Sequence, residues 1–168
     1  LGVIDAGAFT EVALSPTVSA AVSGRFGWLG YLASPIIAAV TGNAAFFGYW
    51  DYQGVVDWRP TARDRVRFAA YGSGDSLGIA QRDGSGQGVG LGYHLVQVSW
   101  SHRFSARTDL SVAVSSGWNG LSVTQRPRPG GPPPDTVSLD SLPTHVRVEL
   151  THAFGARHRL HVGVDGLF

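Results

Sequence analysis

The stretch that decides the fold is Thr144-His-Val-Arg-Val-Glu-Leu-Thr-His-Ala-Phe154. Val146, Val148, Leu150 and Phe154 fall on one side of an extended chain, with His145, Arg147, Glu149 and Thr151 on the other. Side chains alternate faces along a strand, so an apolar/polar period of two predicts a β-strand with two unlike faces. After Gly155-Ala156-Arg157 the alternation resumes, with Leu160, Val162 and Val164 against His161, Gly163 and Asp165. Two such runs about a short turn make an antiparallel hairpin.

The same unit recurs upstream. Val96, Val98, Trp100 and Phe104 alternate with Gln97, Ser99, Ser101 and Arg103, and Ser105–Asp109 turns the chain into Leu110, Val112 and Val114. Trp50, Tyr52, Val56 and Trp58 alternate with Asp51, Gln53 and Asp57. The turn Pro60–Asp64 then feeds Val66, Phe68 and Ala70, with Arg67 on the opposite side. Val18, Ala20, Val22, Phe26 and Trp28 alternate with Ser19, Ser23 and Arg25, and a weaker strand at 6–14 precedes them through Ser15-Pro16-Thr17. The count is roughly eight strands in four hairpins. Odd strands are followed by short turns, even ones by long segments at 31–47, 73–90 and 118–143. This predicts an all-β antiparallel meander of the outer-membrane β-barrel kind, with short periplasmic turns and long extracellular loops. Strands of about 9–11 residues are long enough to cross a bilayer at a tilt.

Composition points the same way. Charged residues make up 15% of the 168, against about 25% in an ordinary soluble domain. Aromatics reach 11%, glycines number 23, and mean hydropathy is only +0.05, as expected where alternating apolar and polar residues cancel. A net charge of +1 with dispersed arginines gives no basic face for nucleic acid. The absence of cysteine excludes a disulfide framework and a thiolate metal site. There is no methionine and no signal peptide, which is read as a chain processed or cut from a longer one. The expectation is a single β-barrel segment over 1–168 without a plug domain, either an arc of a larger barrel or a small closed one. The alternation of Leu160, Val162, Val164, Gly166 and Phe168 resembles the C-terminal signal that barrel-assembly machinery reads, and a truncation would leave the same pattern.

The two faces carry the functional expectation. Trp28, Trp50, Tyr52, Trp58, Phe68, Trp100, Phe104 and Phe154 lie on the apolar side, several near strand ends, and are expected to face lipid. Amphipathic rings are comfortable at headgroup depth, which is why barrels carry aromatic girdles. Arg25, Asp51, Gln53, Asp57, Arg67, Gln97, Arg103, Arg147, Glu149 and Asp165 fall on the polar side and are expected to line the lumen. An arginine facing lipid at the midplane would cost roughly 2–4 kcal/mol. Counting out from the turns sets Arg147 opposite Asp165 and Asp57 opposite Arg67, pairs contributing about 0.2–1 kcal/mol each. A soluble β-sandwich, with the same apolar side turned into a core, satisfies the alternation equally and stays open.

The segment Gly48–Leu77 joins an aromatic-Asp-Tyr-Gln strand, a Pro/Arg/Asp turn and a strand running into Tyr71-Gly-Ser-Gly-Asp75. It resembles barrel strands of TonB-dependent outer-membrane receptors. Ser23-Gly-Arg-Phe-Gly-Trp28 and the Phe-Ser-Ala-Arg and Phe-Gly-Ala-Arg turns are similar to that family too. The resemblance implies energised import of a scarce solute through a larger barrel occluded by an N-terminal plug, with outer-membrane lipid, the plug, the TonB system and the barrel-assembly machinery as partners. No plug, TonB box or ligand-binding residue can be identified here. An eight-stranded barrel acting as anchor or adhesin is the alternative.

Other chemistry finds little support. His158 and His161 are three apart and so point to opposite faces of a strand, and His145 and His161 lie far apart along the hairpin, so no metal site is expected. No Gly-x-Ser-x-Gly elbow marks a hydrolase, and the glycine-rich Gly84–Gly90 is followed by no helix, so neither catalysis nor a cofactor is expected. The glycine-rich Gly72–Gly90 and the proline-rich Arg126–Pro134 are read as loops that cannot lie inside a strand. Residues 26–50 carry no charge, and a short helix around Ile36–Val40 is the alternative to strand there, against Gly30, Pro35, Gly42 and Asn43.

Overall fold

A computed structural model describes residues 5–168. The strands are β1 (Asp5–Ser15), β2 (Val18–Gly27), β3 (Ala44–Trp58), β4 (Asp64–Ala80), β5 (Gly86–Ser105), β6 (Thr108–Arg126), β7 (Asp135–Ser141), β8 (Thr144–Phe154) and β9 (His158–Leu167), with one helix, α1 (Leu29–Thr41). All nine strands form one antiparallel sheet in the order β1-β2-β3-β4-β5-β6-β8-β9, with β7 also paired to β6. No β9–β1 pairing closes it among the described residues, so it is an open arc.

The meander follows from the hairpins. Ser15–Val18 and Ser105–Thr108 close with a bulge, and the register between them places every strand residue in continuous rows. Even-numbered residues share one side of the sheet and odd-numbered residues the other: Phe26↔Trp50↔Gly74↔Gly92↔Gly120 is one even row, Asp57↔Arg67↔Ser99↔Ala113↔Arg147↔Asp165 one odd row. The latter row sets Asp57 opposite Arg67 and Arg147 opposite Asp165 as expected; Asp57 and Arg67 close as an ion pair, whereas Arg147 turns to Glu149 and Asp165 to His145.

There is no second layer. Among the described residues no apolar side chain is buried; Phe68 is 48% exposed and Val98 45%. A β-sandwich would bury this face against another sheet about 10 Å away. Burial of apolar area is the dominant stabilising term in water, and within the described residues this Val/Phe/Trp face has no such cover.

Two sequence expectations are corrected, and the count of roughly eight strands is refined. The sheet has nine strands, because the segment 118–143 contributes the end of β6 and the whole of β7. β7 and β8 run in series along one edge of β6, broken at Leu142-Pro143, where the Pro143 carbonyl still accepts from Gly117 N–H at 3.1 Å. Proline has no N–H to offer the ladder, so the strand breaks there. Gly72–Gly90, expected to be a flexible loop, is mostly strand: Leu77 pairs with Val89 and Gly78 with Gly88. Glycine weakens a strand, but here the space a Cβ would need at Gly74 and Gly78 is filled by the rings of Trp50 and Phe46. Only Gln81–Ser85 turns the chain, with Gly84 at φ 81°. Finally, the uncharged segment does form a helix, α1, longer than Ile36–Val40 and ended by Gly42 at φ 75°, whose N–H donates to the Ala38 carbonyl at 2.8 Å.

Candidate functional site

The odd-numbered face is polar near the short turns and changes character toward the long connections. At the turn end, Asp57 accepts from Arg65 and from Arg67 Nη2 (2.7 Å). Arg147 Nη2 donates to Glu149 Oε2 at 2.7 Å, His161 Nδ1 lies 3.2 Å from Glu149 Oε1, and His145 Nε2 lies 3.1 Å from Asp165 Oδ1. Arg103 Nε donates to Asp109 Oδ1 at 3.2 Å. Every one of these charges has a partner, and the single Asp57 carboxylate is shared by two arginines, so that cluster keeps a net positive charge.

Midway along, Arg25 donates to Asp51 Oδ2 through Nε (2.8 Å) and Nη2 (2.7 Å) and sits 5.5 Å from the centroid of the Tyr49 ring. The Tyr49 hydroxyl donates to Asp5 Oδ2 at 2.7 Å. Around this cluster is an open cleft of about 550 Å³ lined by Ser23, Gln53, Tyr71, Ser73, Asp75 and Tyr93 among others. Gln97 lies lower on the same face, between Ala69 and Ser115. The cleft offers tyrosine rings and hydroxyls together with a carboxylate, Asp75, that has no ion-pair partner among the described residues.

Beyond the cleft the polarity inverts. The odd rows become Tyr49–Asp75–Leu91–Leu121–Leu139 and then Phe47–Leu77–Val89–Val123–Val137, while the even rows at that level are Gly48–Ser76–Gly90–Ser122–Ser138 and Phe46–Gly78–Gly88–Thr124–Thr136. Below the crossover the even face is the apolar one, with Val56, Phe68, Val98, Val114 and Val148. The register is unbroken, so the change lies in the amino-acid pattern itself, which shifts phase at Leu95-Val96 in β5.

The even face is bounded by two aromatic belts. Toward the turns stand Trp58, Trp100, Phe104 and Phe154; Trp100 Nε1 donates to Asp64 Oδ1 at 3.1 Å, and His102 Nδ1 is 2.7 Å from the same oxygen. Toward the long connections, Trp50 stacks on Tyr52 at 6.1 Å between centroids, and His94 bridges both to Trp118 at 5.7–5.9 Å. Trp118 Nε1 donates to Asp140 Oδ1 at 2.9 Å. Trp50 and Trp58 are eight residues apart, about 26 Å along a strand and ~20 Å along the normal at a tilt of about 40°, comparable with an apolar band of ~25 Å.

The ten polar residues singled out from the sequence all fall on the odd face, and the strand aromatics on the even one. Trp28 is the exception, standing between β2 and α1 as the residue that caps the helix. Sequence reasoning passed over Asp5, Tyr49, Arg65, Tyr71, Tyr93 and the inverted Leu/Val rows. The alternation Gly88-Val89-Gly90-Leu91-Gly92-Tyr93 was a legible signal, masked by reading glycine as loop. Among the described residues no three His, Asp or Glu side chains converge as a metal site.

No family model and no curated sequence matches the chain. Among solved structures it is similar to the Pseudomonas putida toluene transporter TodX (TM-score 0.51, 11% identity, 98% of this chain and 54% of that one). It is also similar to a TodX deltaS2S3 mutant described as a monoaromatic hydrocarbon channel (TM-score 0.52, 12% identity, 98% and 54%). The chain thus spans about half the length of the structures it matches. At this identity the likeness establishes the fold alone: the wall of a β-barrel of the outer-membrane type. It also corrects the resemblance to TonB-dependent receptors, since the matching barrels are hydrocarbon channels. An aromatic-Asp-Tyr-Gln strand and a Pro/Arg/Asp turn are what any barrel strand needs at an interface and a tight turn, so they carry no family information. Of the earlier alternatives, the smaller barrel lies nearer to these structures than the TonB-dependent one.

Proposed function

We propose that this sheet is part of the wall of an outer-membrane channel, its even face on lipid and its odd face lining the lumen, and that the channel passes uncharged solutes of apolar or aromatic character. Further strands complete the barrel; outer-membrane lipid and the barrel-assembly machinery are its partners, and the chain performs no catalysis. The observation that carries the reading is the polarity inversion above the upper aromatic belt. There the outer face turns to glycine, serine and threonine, as suits water, while the inner face turns to Leu91, Leu121, Leu139 and their neighbours. A wall meant for hydrophilic solutes has no reason to place leucines inside an aqueous mouth. Level with them stands Tyr49 and below them Tyr71 and Tyr93, ring faces beside hydroxyls that grade the passage from apolar mouth to polar interior. The resemblance to a toluene transporter supports the same solute class.

The test is uptake by cells carrying the full-length protein, comparing a monoaromatic hydrocarbon with a sugar of similar mass. Replacing Leu91 and Leu121 by asparagine should depress hydrocarbon uptake by about tenfold or more, since burying a leucine-sized contact is worth ~1.5–3 kcal/mol, and leave the sugar rate unchanged. Equal effects on both solutes would remove the apolar-solute reading.

A further inference from the structure

The short turns carry a repeated motif that solute passage does not use. Trp58-Arg59, Phe104-Ser-Ala-Arg107 and Phe154-Gly-Ala-Arg157 each lead from an aromatic near the end of a strand into an arginine of the turn, and Arg63 stands in the first of these turns as well. Arg59, Arg63, Arg107 and Arg157 are exposed, and none has an ion-pair partner among the described residues. Neighbouring arginines on the strands are spent internally: Arg65 and Arg67 on Asp57, Arg103 on Asp109, Arg147 on Glu149. Asp64, the acid beside Arg63, is occupied too, its Oδ2 accepting from Thr61 Oγ1 and its Oδ1 from Trp100 Nε1. The turns lie side by side. Arg59 N–H donates to the Thr17 carbonyl at 2.8 Å, Arg103 N–H to the Arg63 carbonyl at 2.9 Å and Ala153 N–H to the Arg107 carbonyl at 2.8 Å. The arginine-bearing turns are thereby fixed two strand spacings, about 10 Å, apart.

We propose that this edge is a binding rim for anionic phospholipid headgroups: the turn arginines hold the phosphates, and Trp58, Phe104 and Phe154 sit beside them at the level where headgroup gives way to acyl chain. The charge selects an anion, because the turn arginines add positive charge that no acid of the edge is free to cancel. The residue type suits phosphate: all 13 basic residues are arginine, whose planar guanidinium donates two parallel N–H groups to a phosphate. The position selects lipid. The aromatics of the same three turns end the apolar even face, and rings of that kind mark headgroup depth, so the guanidinium groups emerge where phosphates lie. A single soluble anion would need the arginines to converge on one point. Strung along an edge at about 10 Å, they suit a row of separate headgroups.

The rim rests on the even face being the lipid side, as proposed above, and the experiment separates the two. The chain has no cysteine, so Ala106→Cys in the β5–β6 turn and Val98→Cys on the even face can each carry an environment-sensitive fluorophore in the full-length protein. The labelled proteins are placed in phosphatidylcholine vesicles holding equal fractions of phosphatidylglycerol or phosphatidylcholine with a nitroxide near the headgroup. At 106 and about 0.01 M salt, the phosphatidylglycerol probe should quench several-fold more than the phosphatidylcholine probe. The ratio should fall to near one at about 1 M salt, where the screening length shrinks from about 30 Å to about 3 Å. It should fall likewise when Arg59→Gln, Arg107→Gln and Arg157→Gln are combined. At 98 a nitroxide at the chain end of phosphatidylcholine should quench in both proteins, which also shows that the combined variant is inserted; if that variant fails to insert, the salt series on the unsubstituted rim decides. Equal quenching by the two headgroups at 106, with lipid quenching intact at 98, overturns the rim and leaves the wall standing. So does a phosphatidylglycerol preference that survives the three substitutions. Loss of lipid quenching at 98 in the unsubstituted protein overturns the face assignment and the rim with it.

Discussion

Val98 and Gln97 are neighbours on β5 whose side chains leave the sheet in opposite directions, which makes them a direct probe of what each face touches. Val98 pairs with Phe68 and Val114 on the even face, and Val114 lies midway between Leu110 and Trp118, so Val98 sits near the middle of the apolar band. Gln97 pairs with Ala69 and Ser115 on the odd face, among small and polar neighbours. Val98→Arg should therefore place a guanidinium in hydrocarbon, at roughly 2–4 kcal/mol for the midplane of a barrel wall. At 1.36 kcal/mol per decade this is about a 30- to 1,000-fold loss in the folding equilibrium. Gln97→Arg should stay within about 1 kcal/mol, because its charge remains hydrated. The assay is reversible denaturant unfolding of the full-length protein in phospholipid vesicles, followed by tryptophan fluorescence, with both variants compared at equal slope. Equal penalties at the two positions, or a larger one at 97, would refute the assignment of faces.

Two further expectations follow from the charges. Asp57 holds both Arg65 and Arg67 with a side chain only 14% exposed, so Asp57→Asn leaves two arginines facing each other; about 1–2 kcal/mol of stability should be lost, and reversal potentials in a salt gradient should shift toward anions. An unchanged reversal potential would mean that this cluster does not border the conducting path. In the Gln81–Ser85 turn, the Ser85 hydroxyl (2.6 Å) and backbone N–H hold the Asp83 carboxyl below its usual range, with Arg128 adding a smaller pull. A depressed carboxylate contributes fully above the unfolded value near 3.9, and its contribution is lost as pH falls through the lower folded value. Amide exchange at Gly84 and Ser85 should therefore stay slow through the ordinary carboxylate range and speed up only in stronger acid, and Asp83→Asn should abolish that step.

From the sequence alone, the period of two in β8–β9, β5–β6 and β3–β4 determined the hairpins, their register and the side on which each charge would stand. Alternation is a local property, and in a hairpin a short turn leaves few registers, so Arg147–Asp165 and Asp57–Arg67 could be paired by counting. The aromatic-Asp-Tyr-Gln segment could not name a family, since interface and turn physics alone produce it. The tertiary structure decided what local pattern cannot express. Whether a second sheet of this chain covers the apolar side depends on the tertiary arrangement, and among the described residues none does. Whether Gly72–Gly90 forms a strand depends on partners across the ladder and on rings of Trp50 and Phe46 filling the places of missing side chains. For the same reason the inverted rows above the belt emerged only in the folded sheet: Leu77, Val89, Val123 and Val137 come from four separate strands, and only their pairing makes one surface of them.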